Sequence, residues 1–149
     1  MQLLRKVASF TSSELDLLVI YKLFVRGALE QTCTVWHSSL TKEQEEDLER
    51  VQKSAIRIIK GTKYESYEKA CESLNIEDLI TRRTRLCLQF AQKCLNNKQM
   101  KTLFPKNSKK AIIKTRHQEK FKVKFARTER LRKSSIPYMQ RLLNNQSRM

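Results

Sequence analysis

Residues 76–96 read IEDLITRRTRLCLQFAQKCLN. Ile76, Leu79, Ile80, Arg83, Leu86, Cys87, Phe90 and Cys94 recur at spacings of three and four, the period of one helical face. The stripe is apolar apart from Arg83 and predicts a core-facing helix from about 77 to 96. Just before it, Asn75 suits a left-handed stop. That stop ends a shorter helix expected over 64–74, capped by Ser66, with Tyr67, Ala70, Cys71 and Leu74 on one face.

Toward the N-terminus, Thr41 opens a second long helix. Glu43, Glu45, Glu46 and Asp47 crowd its early turns, and Lys53, Arg57 and Lys60 lie near its end, as the helix dipole favours. Its expected apolar face is Leu48, Val51, Ala55, Ile58 and Ile59, with Gly61 as the stop. The preceding Cys33-Thr34-Val35-Trp36-His37 is β-branched and reads as a less helical join. Thr11-Ser12-Ser13-Glu14 matches a capping box. A helix is expected from about 13 to 31, its stripe being Leu15, Leu18, Val19, Lys22, Val25 and Leu29. Gly27 inside it costs about 1 kcal/mol relative to Ala and is a candidate bend. Leu3, Leu4, Val7 and Phe10 form a short helical pattern that begins with no cap before it, a hint that Met1 is not where a natural domain begins.

Toward the C-terminus, a short turn over 99–104 ends at Pro105. Periodicity then lapses across 105–134, where Ile112, Ile113, Phe121, Val123 and Phe125 are scattered among cations. Phe121-Lys122-Val123-Lys124-Phe125 alternates like a strand, but a lone strand has no partner, so an irregular segment is expected. Residues 136–144 read as a terminal helix with Pro137 in its first turn. No repeat of fixed period is present. The expected fold class is all-α: an irregular bundle of about four to five helices, a thumb-like domain over 1–104, and a basic, largely irregular tail over 105–149.

Composition agrees with that class. The 149 residues contain two Gly and two Pro, too few for the tight turns of a sheet protein. No apolar run reaches 18 residues, so no membrane helix is expected. No signal peptide is recognised at the N-terminus, which points to the nucleus or cytoplasm rather than secretion. The sequon Asn145-Gln146-Ser147 is then expected to be idle. Cys33, Cys71, Cys87 and Cys94 show no zinc spacing. The last three fall on apolar helical positions, as reduced buried thiols do.

The charge is unevenly placed. The chain holds 31 basic and 15 acidic residues, a net of +16. Residues 1–104 have 17 basic and 13 acidic residues, whereas 105–149 have 14 and 2. A nearly balanced domain thus precedes a stretch of net +12, the footprint of a polyanion partner such as nucleic acid.

Catalytic patterns are not found. A polymerase or nuclease needs carboxylates close enough to share Mg²⁺, yet Asp16, Asp47 and Asp78 stand apart, and the cluster over 43–49 suits a helix start. With only Gly27 and Gly61, no phosphate-cradling loop is possible. No Ser, Cys or His has a recognisable nucleophile setting. The chain alone is expected not to be an enzyme, and to need no metal, cofactor or small-molecule substrate.

Several blocks nevertheless occur in a telling order. They are Leu18-x-x-Tyr21-Lys22-x-Phe24-Val25-Arg26-x-x-Leu29-Glu30, then Val35-Trp36-His37-Ser38-Ser39-Leu40-Thr41, Leu48-Glu49-Arg50-Val51-Gln52-Lys53 and Arg57-Ile58-Ile59. Tyr67-Glu68-x-Ala70-Cys71, Arg82-Arg83 and Leu86-Cys87-Leu88-x-Phe90-Ala91 follow. Arg127-Thr128-Glu129-Arg130 and Ile136-Pro137-Tyr138-Met139-x-Arg141-Leu142-Leu143-Asn144 close the series. Across nearly its whole length the chain resembles the C-terminal region of the reverse transcriptase of jockey-like non-LTR (LINE-type) retrotransposons. The resemblance implies a helical thumb and post-thumb extension that helps hold template RNA and primer DNA. The family's polymerase signature, an aromatic-Ala-Asp-Asp motif, and its endonuclease domain are absent here, so no catalytic residue carries over. Two departures stand out. Gly27 replaces a common Pro, and 31–34 lack the usual aromatic residue and Pro, implying relaxed selection or a different bend.

The expected partners are RNA or DNA, with the rest of a reverse transcriptase as another. Candidate phosphate contacts are Arg82, Arg83, Arg85, Lys109, Lys110, Arg127, Arg130, Arg132 and Lys133. The first three either meet phosphate or pair with Glu77 and Asp78. The last four have only Glu129 close by and are the better candidates. Trp36 and His37 read as a base-stacking platform or, preferably, as a gap-filling Trp with His37 capping backbone. Two other functions stay open: a helical protein-interaction module, and an element remnant without a selected function.

Overall fold

The computed structural model describes residues 2–10, 13–107 and 120–146. Among them the fold is all-α. The helices are α1 (Gln2–Phe10), α2 (Glu14–Ile20), α3 (Arg26–Glu30), α4 (Cys33–Trp36), α5 (Lys42–Lys60), α6 (Tyr67–Leu74), α7 (Leu79–Asn96), α8 (Glu129–Arg132) and α9 (Ser135–Gln146). The only extended pairing among the described residues is an isolated antiparallel bridge between Lys106 and Phe121.

The chain divides into two compact units. One comprises Met1–Cys33 and Leu40–Arg83, the other Thr34–Ser39 and Thr84–Met149. The division falls inside α7 rather than near residue 104. The reason is packing: Cys87, Ala91 and Cys94 of α7 share a core with Phe104, Phe121, Met139 and Leu143. The described part of the basic segment is therefore built into the second unit.

In the first unit, Leu4, Leu17, Leu18, Tyr21, Ala55, Ile56, Ile59, Ala70, Leu74 and Ile76 form the core. Ser13 caps α2, its Oγ accepting from the Asp16 N–H at 3.4 Å. The expected Thr11 half of the capping motif lies outside the described residues. A π-helical turn over Tyr21–Val25 joins α2 to α3. The helix irregularity thus sits at Tyr21–Val25, and Gly27 lies within α3. The expected stripe is corrected in part: Leu18 is buried as expected, but Leu15 is 72 % and Val19 54 % exposed, whereas Leu17 and Tyr21 are buried. Apart from Asp16, residues 15–21 are apolar on every side, so spacing alone does not select a face. The wider π turn then shifts the phase downstream.

Thr41 and Gln44 form a full capping box at the start of α5, with bonds of 3.2 and 3.0 Å. Gly61, at φ +52°, closes that helix. Ser66 caps α6, and Asn75 ends it in the left-handed conformation. Gln52 and Ile56 belong to the buried face of α5 alongside Ala55 and Ile59, and the stripe expectation missed both. Gln52 is polar, but its amide is well used. Its Oε1 accepts from the Tyr21 hydroxyl at 2.5 Å. Its Nε2 donates to the Tyr67 hydroxyl at 2.8 Å and the Glu77 carbonyl at 3.1 Å. The Tyr67 hydroxyl donates to Glu49, whose other oxygen accepts from the Leu79 N–H at 3.1 Å. A buried polar network that is satisfied in this way specifies one arrangement of α2, α5, α6 and the start of α7.

Residues 33–39, which pass from the first unit into the second, are helical rather than a loose join: α4 runs into a 3₁₀ turn over His37–Ser39. His37 is buried, 3.2 Å from the Thr84 hydroxyl and edge-on to the Tyr138 ring at 5.7 Å. Trp36 is half-buried. Pro137 lies in the first turn of α9, as expected, and Met139 and Leu143 are buried. Cys33, Cys87 and Cys94 are buried and Cys71 is partly buried, and none of the four is in a disulfide.

Candidate nucleic-acid interface

The basic face of the second unit is built on a backbone held by α9. The Asn144 side-chain amide meets both polar groups of Phe121: its Oδ1 accepts from the Phe121 N–H at 2.9 Å, and its Nδ2 donates to the Phe121 carbonyl at 3.0 Å. The Lys122 N–H donates to the Pro105 carbonyl at 2.8 Å. Gln140 accepts from the Lys124 N–H at 3.4 Å and donates to the Leu103 carbonyl at 2.9 Å. Phe121 turns into the core, and Lys120, Lys122 and Lys124 stand exposed between these anchors.

The cationic face continues through α8. Thr128 caps that helix, and Arg127, Arg130, Arg132 and Lys133 are all exposed. Glu129 is the sole acid between 120 and 146. It takes a two-pronged hydrogen bond from Arg132, with Nε at 2.8 Å and a terminal nitrogen at 2.9 Å. That bond holds the Glu129 carboxyl below the usual range and raises Arg132. Arg141 donates to the Arg132 carbonyl at 2.6 Å, tying α9 to α8. Among the described residues, no carboxylate lies within ion-pair distance of Arg127 or Arg130.

An open groove of about 510 Å³ lies beside this face. Leu103, Pro105, Leu131, Ile136 and Pro137 give it apolar walls, and Lys122 and Lys124 also line it.

The other sequence candidates separate. Arg83 is fully buried, so it is withdrawn as a phosphate contact. Burial lowers its pKa, and the nearby Glu49, Glu45 and Glu30 charges oppose that shift. Arg82 is partly buried and is held by Glu30 and, at 3.5 Å, by Glu77, which raises its pKa. Arg85 is exposed on α7. Lys109 and Lys110 lie outside the described residues. Lys120, Lys122 and Lys124 were not singled out from the sequence, although the alternation of Phe121, Val123 and Phe125 was the signal that could have found them. Among the described residues, no group of three or more His, Cys, Asp or Glu side chains is placed to hold a metal ion, and no helix is long and apolar enough to cross a membrane.

Comparison with protein-family models, with curated proteins and with solved structures returned no match.

Proposed function

We propose that this chain is a non-catalytic C-terminal portion of a non-LTR retrotransposon RNA-directed DNA polymerase that binds RNA or DNA through backbone phosphates. The observation that carries the binding is the display of Lys120, Lys122, Lys124, Arg127, Arg130 and Lys133, all exposed, around one acid already taken up by Arg132. Cations with no competing carboxylate release the counterions condensed on a phosphate chain, a favourable step without sequence preference. The ordered blocks support the family origin.

The test is a salt titration of binding to labelled RNA and DNA. Four to five duplex contacts give a log–log slope of roughly −4. Neutralising Lys122, Lys124, Arg127 and Arg130 together flattens it. A complex insensitive to salt, or a variant with an unchanged slope, overturns the reading.

A second reading has its own support. Leu15, Val19, Leu23 and Phe24 are exposed on the helical run of the first unit, an apolar stripe suited to another protein surface, such as the remainder of a polymerase. Concentration-dependent self-association or dye binding of the full chain, removed by Leu15→Lys with Leu23→Lys, would favour it.

A further inference from the structure

Phe125 is 83 % exposed, one of the most exposed large apolar side chains in the described chain. Single exposed apolar residues are ordinary on a protein surface. This one differs in where it stands. Lys122, Lys124, Arg127 and Arg130, all exposed, flank it within five residues. The backbone leading to it is held at Phe121, Lys122 and Lys124 by Asn144, Pro105 and Gln140. On its other side the chain is fixed again where Thr128 caps α8. The ring is thus presented on restrained backbone instead of on a free end. Lys124, its neighbour, lines the apolar groove.

We propose that Phe125 is a base-stacking residue and that the second unit therefore selects single-stranded over double-stranded nucleic acid, an inference that rests on the proposed nucleic-acid binding. A duplex offers cations its phosphates but keeps its base faces stacked on one another. A single strand offers phosphates and open π-faces together, and an aromatic ring among lysines and arginines meets both. Every base has such a face, so the preference is for strandedness and not for sequence. Lys124 and Arg127 meet the phosphates flanking the stacked base.

The experiment uses the full chain with a labelled single-stranded oligonucleotide and the same sequence as a duplex, at fixed salt. The wild type is expected to bind the single strand more tightly. Stacking is worth about 1–3 kcal/mol per base, so Phe125→Ala should weaken single-strand binding by about 5- to 150-fold and leave the duplex unchanged. Phe125→Leu, still apolar, should resemble the Ala variant, whereas Phe125→Trp should restore binding and show fluorescence quenching by the single strand. Because Phe125 is exposed, all three variants should keep the wild-type denaturation midpoint. Equal loss on both ligands, no loss on either, or full activity of the Leu variant overturns stacking while leaving phosphate binding intact. If the wild type binds neither ligand, the proposed function falls and stacking falls with it.

Discussion

The side chain of Asn144 serves Phe121 as a strand neighbour would, accepting from its N–H at 2.9 Å and donating to its carbonyl at 3.0 Å. The pair is buried, and together with the bridge to Lys106 it holds a non-helical segment inside a helical unit. Removing the amide leaves two buried backbone groups without partners. Each such loss costs about 1–3 kcal/mol, so Asn144→Ala should destabilise the second unit by roughly 2–6 kcal/mol. Asn144→Asp keeps the acceptor but sets a carboxylate against the Phe121 carbonyl, and should be no better. Chemical denaturation gives the loss. Hydrogen exchange should show the Phe121 amide losing protection while α5 keeps its own.

Alkaline pH should act on the first unit through two tyrosines. Burial pushes the Tyr21 hydroxyl well above the ordinary tyrosine value. Burial, then the hydrogen bond to Glu49, does the same to Tyr67. In the unfolded chain both ionise near the ordinary value of about 10. Their folded pKa values are raised, so the stability they contribute is complete below that value and declines as pH rises above it. Phenolate absorbance during a pH titration should therefore show Tyr21 and Tyr67 ionising only together with loss of helical circular dichroism. Gln52→Leu, which removes the amide joining them, should move that transition to lower pH. Ionisation of both tyrosines while the helices persist would refute the network's role.

Local signals along the chain carried most of the fold. Thr41, Ser66, Asn75 and Gly61 act through adjacent backbone, so a few residues suffice to recognise them. The period of α7 was likewise visible. Faces were less legible where apolar residues surround a helix, as at 15–21, because burial there depends on contacts with residues distant in sequence. Tyr21 is chosen by Gln52, 31 residues away, and spacing holds no record of that bond. The division by packing differs from the division by charge for a related reason. Composition separates 105–149 by charge, but Phe121 and Met139 reach the core through contacts distant in sequence. Among the candidate site residues, Arg127 and Arg130 are exposed, as the scarcity of acids beside them in the sequence suggested. Arg82 and Arg83 misled because Glu30 and Glu49 lie far off along the chain and close in space.

That last contrast separates a structural arginine from the arginines proposed to bind. Arg83 is fully buried, and the charges of Glu49, Glu45 and Glu30 oppose the effect of burial on it without cancelling it. Arg83→Ala removes both volume and charge and should cost about 3–5 kcal/mol. Arg83→Met fills the space and should cost less. Neither should change the salt slope of nucleic-acid binding measured where the protein stays folded. Arg127→Ala and Arg130→Ala should show the reverse, with unaltered denaturation midpoints and slopes flatter by about 0.7–0.9 each. A flatter slope for Arg83→Met would return that residue to the interface.

Among the described residues Glu129 is the one acid on the cationic face, and it pairs with the exposed Arg132. Glu129→Gln should release that guanidinium and remove a repulsion, strengthening binding and steepening the salt slope by about one contact. The exposed pair contributes little to folding, so the denaturation midpoint should move only slightly, chiefly through the weakened start of α8. Protonation should imitate the substitution. The hydrogen bond from Arg132 holds the carboxyl below its usual range, so Glu129 stays charged through neutral and mildly acidic pH. Binding by the wild type should strengthen only as pH falls past the ordinary carboxylate range, and Glu129→Gln should lack that rise. A titration of oligonucleotide affinity against pH for the two proteins checks it. Parallel curves would mean that Glu129 and Arg132 take no part in the interface.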